Sequence, residues 1–296
     1  MQDYTTLRGS TIVVHVKVSL IPLSWSCCDT VDAMHVLPSW LRRRPSCPAS
    51  PAEKELVEDG FQSLQEQLGP ARLRDATVVE PTPAFFPDRY DGSPDAAEQL
   101  FVRVCGYMRI EPHSFRLSFW QEELEKPEVH APGTSGAPRQ TRGATGYYTH
   151  VAGFDHVSVN VAELKDPEAL VATMAHELAH VVLLGRCAMS HDEPHMEALT
   201  DLTTIYLGLG IFTSNTLLQR HGWTHGNVEG WKVSRKGYIS PEMAGWALSL
   251  FAWARGERNP KWSQYLAVDP KSYLKQGLRY LDQTGDTSFC IKPPQE

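Results

Sequence analysis

The segment from Asp166 to Gly185 constrains the chain more than any other. Asp166 offers an N-cap oxygen, Pro167 suits the first helical position, Glu168 favours the positive end of the helix dipole and Gly185 supplies a stop. These signals bound a helix of about 18 residues. Inside it Ala169, Leu170, Val171, Met174, Ala175, Leu178, Ala179, Val181, Val182, Leu183 and Leu184 are apolar nearly all round, which predicts a central helix buried on several sides. Into that run the sequence sets His176-Glu177-Leu178-Ala179-His180, an HExxH arrangement. Residues four apart lie about one turn from each other, so the two imidazoles share a face while Glu177 projects from an adjacent stripe. That is a two-nitrogen clamp for a metal, with the carboxylate placed to reach a water on the metal rather than the metal itself. Buried imidazoles and a buried carboxylate need partners, and a metal provides them.

The remainder of the 296 residues reads as support for this helix. Residues 1–50, with a strand-like Thr11–Val18, a cysteine pair and a Pro/Ser/Arg-rich segment, are expected to form a poorly ordered N-terminal arm. Residues 51–296 are expected to form a single domain: a helical part over 51–127, a loop over 128–146, a metal-binding core over 147–210 and a helical C-terminal part over 211–296. Apolar residues at 57, 61, 64 and 68 predict a helix from Pro51 to Gly69, and Ser93-Pro94 opens a second one running to Tyr107. Phe85 and Phe86 in the Pro-rich connection before it are expected to anchor the core. Strands are predicted over 115–120, 146–151 and 155–161, the last two joined by a short Ala-Gly turn. That hairpin leads into the HExxH helix, and is either a covered structural element or an exposed sheet edge able to hold an extended peptide. Residues 219–238 look polar and irregular, further helices follow from Ser240, over 263–266 and over 270–281, and the tail after Gly285 is expected to be loose.

Composition excludes some functions. A net charge of -7, with no basic run beyond Arg42-Arg43-Arg44, argues against nucleic-acid binding. Cysteines at 27, 28, 47, 105, 187 and 290 form no CxxC pair and are expected to be reduced structural thiols. No run is expected to span a membrane. The apolar stretch from Thr11 to Cys28 is interrupted by His15 and Lys17 and lacks a clean cleavage site, so a cytoplasmic protein is expected, with secretion as the alternative.

A catalytic zinc wants three protein ligands and one open position. Candidates after His180 are His191, Asp192, Glu193, His195, Glu197 and Asp201. A metzincin would need Gly at 183 and His at 186, and Leu183 and Arg186 exclude that class. Glu193 to Gly208 predicts another helix, with Glu197 and Asp201 four apart on one face, whereas His195 lies about 200° round from Glu197. With HExxH on one helix and Glu-x-x-x-Asp on the next, the chain resembles the gluzincins, the thermolysin-like zinc metallopeptidases, over about residues 147–210. The resemblance implies an α+β zincin-like fold with a small, mostly antiparallel sheet packed on the HExxH helix and further helices on either side. It implies one zinc ion held by His176, His180 and Glu197, Asp201 orienting a ligand imidazole, and Glu177 as general base. Such enzymes often use a downstream His or Tyr for the oxyanion, and Tyr238 and His225 are candidates. A peptide or protein would then be the substrate. Two other readings stay open: a non-catalytic zinc-binding interaction module on the same scaffold, and a metal-free helical protein.

Overall fold

Four helices of this chain begin with the same local device, a short polar side chain followed by proline. Ser50 precedes Pro51, Ser93 precedes Pro94, Asp166 precedes Pro167 and Ser240 precedes Pro241, and in each the side-chain oxygen accepts a backbone N–H in the first turn. Proline, lacking an N–H and fixed near helical φ, costs nothing at that position. The resulting helices are α1 (Pro51–Leu68), α3 (Pro94–Tyr107), α4 (Pro167–Val181) and α7 (Pro241–Ala254), with α2 (Pro70–Arg74) following α1. At α1 the cap is reciprocal, because Glu53 in turn accepts from the Ser50 N–H. The computed structural model describes residues 45–112, 115–121, 146–151, 154–187, 189–190, 192–225, 228–235 and 237–291. All belong to one compact unit, Arg44–Glu296. Most of the arm expected over 1–50 and of the loop expected over 128–146 lies outside the described residues. Within residues 45–50, Ala49 is buried and Ser50 caps α1.

α4 is the central helix. Leu170, Met174, Ala175, Leu178 and Ala179 are sealed from solvent, and α3, two later helices, α5 (Met196–Tyr206) and α6 (Gly210–Thr216), and two strands pack around it. Pro167–Gly185 is long and apolar enough to cross a membrane by length and composition alone, yet 72% of its most apolar 18-residue stretch is buried against the rest of the chain. Its apolar surface is therefore consumed by the core. Gly185 does not stop the helix. The chain winds on through a π turn, Val182–Arg186, closed by the Cys187 N–H donating to the Val182 carbonyl at 3.0 Å. Such widened turns recur beside functional residues, and this one begins two residues after His180.

The sheet differs from the expectation in one respect. Strands β1 (Phe115–Trp120), β2 (Gly146–Val151) and β3 (Phe154–Asn160) lie in the order β1-β3-β2; β2 pairs antiparallel with β3, but β1 pairs parallel with it. The sheet is thus mixed rather than mostly antiparallel. Two residues between β2 and β3 force a reversal, whereas the long connection from Trp120 to Gly146 leaves the direction of β1 free. Val157 and Val159 of the middle strand are buried, and among the described residues β2 forms an edge.

α5 (Met196–Tyr206) begins one residue beyond His195, which takes the left-handed conformation at φ 65. It ends before Gly208, whose φ of 96 and position against the Thr77 carbonyl admit no side chain. The chain then forms a short helix, α6 (Gly210–Thr216). Residues 219–238, read as irregular, contain a hairpin of β4 (Leu218–His225) and β5 (Val228–Arg235), so the C-terminal part is not wholly helical. The missed signal is Gly226-Asn227, a two-residue hairpin connection between segments that pair His225 with Val228. α8 (Val268–Thr284) packs on α7. Of the tail expected to be loose after Gly285, the described residues 286–291 are tied down: Ser288 donates to Glu58 from both its N–H and its hydroxyl, and Phe289 meets Phe61 edge to face.

Candidate metal centre

α4 and α5 pack against each other and between them supply the three donor groups of the site. From α4, His176 and His180 stand one turn apart with ring centroids 4.9 Å apart and planes nearly perpendicular. From the first turn of α5, Glu197 Oε2 lies 3.2 Å from His176 Nε2 and 3.5 Å from His180 Nε2. Among the described residues these three form a group whose donor atoms all lie within 4.8 Å of one another.

The donor set and spacing fit a metal. Two imidazole nitrogens and a carboxylate oxygen are a catalytic zinc set, and ligands held tetrahedrally at about 2.0–2.1 Å from an ion stand about 3.3 Å apart. The outer nitrogen of each imidazole is already committed. His176 Nδ1 lies 2.9 Å from Asp201 Oδ1, and His180 Nδ1 lies 3.3 Å from Thr200 Oγ1. Both Nε2 atoms are thereby turned toward Glu197. Asp201 is itself fixed, since its Oδ2 accepts from the Tyr238 and Ile239 N–H groups at 2.8 and 3.3 Å. Gly237 permits that approach, because a Cβ there would lie 2.0 Å from Leu217 Cδ2.

Electrostatics favour positive charge at this point. Burial works against a charged His176, but its hydrogen bonds to Asp201 and Glu197 outweigh that and lift its pKa to about 10. The same two histidines hold the Glu197 carboxyl well below the usual carboxylate range. Glu177 goes the other way: burial raises its pKa, opposed by the nearby histidines and by the Tyr148 backbone N–H that donates to it. Its carboxylate rests against the start of β2, where a Cβ on Gly146 would come within 2.7 Å of Oε1. The general base expected from HExxH is therefore wedged between the candidate ligands and β2.

Of the other residues singled out in the sequence, Tyr238 reaches the site. Its ring stacks on His176 at 5.4 Å with 19° between planes, and it is half exposed. Asp192, Glu193 and His195 are exposed and stand outside the three-donor group. His191 and the side chain of His225 lie outside the described residues. Thr200 and Gly146 were not anticipated. The one signal for Thr200 is a hydroxyl three residues after Glu197 and next to Asp201, on the face of α5 that meets α4; nothing local marks Gly146. A cavity of about 270 Å³ bordered by Phe86, Leu100, Arg103 and Phe212 adjoins the other end of α4, and no ligand-set residue lines it. Comparison with protein-family models, with curated proteins and with solved structures finds no match to this chain.

Proposed function

We propose that this protein is a zinc-dependent metallopeptidase of the gluzincin arrangement on a zincin-like α+β core, hydrolysing peptide bonds in a peptide or protein. The observation that carries the reading is the convergence of His176 Nε2 and His180 Nε2 on Glu197 Oε2, at 3.2 and 3.5 Å, with the Glu177 carboxylate buried alongside. His176, His180 and Glu197 would hold one zinc ion. When bound, zinc supplies Lewis-acid activation of a water and of the scissile carbonyl. Glu177 takes the proton of the attacking water and passes it to the leaving amine. Its raised proton affinity suits that task, since a base works best with a pKa near the working pH. Asp201 and Thr200 keep the imidazoles oriented, as partners behind metal-bound histidines do. Tyr238, stacked on His176, carries a phenol O–H suited to stabilising the oxyanion. Among the described residues β2 is an outer strand of the sheet and touches Glu177, so an extended substrate would lie alongside it as a further strand.

The test is digestion of a broad peptide library by protein stripped with a chelator and then reloaded with zinc. Cleavage should appear only in the reloaded sample. One zinc per chain without cleavage would favour a non-catalytic zinc-binding module, and absence of both would contradict either reading.

A further inference from the structure

We infer that Thr200 is a positioning residue of the metal centre: its hydroxyl fixes the His180 tautomer so that Nε2 is free to bind the ion. The inference rests on the zinc reading above and deepens it. A hydroxyl has one proton to donate and lone pairs to accept with. Thr200 Oγ1 lies 2.8 Å from the Met196 carbonyl, an oxygen that can only accept, so the hydroxyl proton goes there. Toward His180 Nδ1, at 3.3 Å, the Thr200 oxygen is then left as an acceptor. Nδ1 must carry the imidazole proton, which leaves the lone pair on Nε2, the nitrogen facing Glu197. Thr200 is fully buried, so no water substitutes for it.

The neighbouring threonines show that this is not a general property of hydroxyls on these helices. Thr203 donates to the Leu199 carbonyl, Thr204 to the Asp201 carbonyl and Thr216 to the Phe212 carbonyl, the usual back-bonding of helical threonines. Thr200 makes the same backbone bond and in addition meets a ligand imidazole. The two histidines are consequently held by unlike acceptors on successive residues of α5, the anionic Asp201 for His176 and the neutral Thr200 for His180.

Zinc affinity, measured by competition with a chromophoric chelator, separates this role from simple packing. Thr200→Val keeps the shape and removes the acceptor, and should weaken zinc binding about 10–100-fold. Thr200→Ser should bind close to wild type, as should Thr203→Val, which removes a buried hydroxyl that touches no ligand. Independently of any variant, the 15N imidazole spectrum of the zinc-loaded wild type should show the His180 proton on Nδ1. Unchanged affinity in Thr200→Val, an equal loss in Thr203→Val, or zinc bound through Nδ1 of His180 would each overturn the assignment while leaving the metal centre intact. Failure of the wild type to bind zinc would overturn the metal centre and this inference with it.

Discussion

Glu177 is the residue whose surroundings carry the most chemistry. It is 6% exposed, sits beside both ligand histidines and presses against a strand position that has no side chain. Gly146 is therefore a condition of the site rather than a flexible link. Gly146→Ala should displace the Glu177 carboxylate from its place at the sheet edge. A misplacement of about 1 Å can cost about 100-fold in rate, so peptide turnover should fall by roughly that factor. Zinc content by elemental analysis should not change, because no ligand is touched. His176, Glu177 and His180 were legible from spacing alone, since a turn of helix brings them together whatever the rest of the chain does. Glu197 and Asp201 were legible only through resemblance, because their meeting with α4 depends on how α5 packs. Thr200 and Gly146 were not legible, since a threonine in a helix or a glycine opening a strand acquires meaning only from what lies across from it.

At the scale of elements, the helices were read correctly where capping and apolar spacing agreed, as at Ser50-Pro51, Ser93-Pro94, Asp166-Pro167 and Ser240-Pro241. The direction of β1 and the β4–β5 hairpin were not, since the first depends on a long connection and the second on strands without apolar alternation. The break between α5 and α6 keeps the ligand-bearing helix short. Gly208 makes it, with a positive φ and a Cβ position only 2.1 Å from the Thr77 carbonyl oxygen. Gly208→Ala should destabilise the fold by about 2 kcal/mol or more, since both the backbone conformation and the backbone contact forbid a side chain. Chemical denaturation measures it directly, as a lower midpoint with an unchanged slope.

For the molecule as a whole, a metal held by these three residues would couple the site to stability. Zinc that binds only the folded chain adds about 4 kcal/mol at a free concentration of about 1,000 times Kd, so stripping should lower the melting temperature. The pH dependence has a defined sign. In stripped protein His176 is raised from 6.5 to about 10, by Asp201 and Glu197 against the cost of burial. That contribution is fully present below about 6.5 and is lost as pH rises toward about 10. Zinc, in contrast, needs deprotonated imidazoles and binds more strongly as pH rises. Scanning calorimetry between pH 7 and 9 should therefore show stripped protein losing stability while its gap to the zinc-loaded form widens.

In the proposed reaction Glu177 works on a water at a zinc held by other residues. The most direct measurement compares Glu177→Gln with wild type for zinc content and peptide cleavage on the same preparations. One zinc per chain is expected in both and cleavage in the wild type alone. Equal cleavage by the Glu177→Gln protein would contradict it.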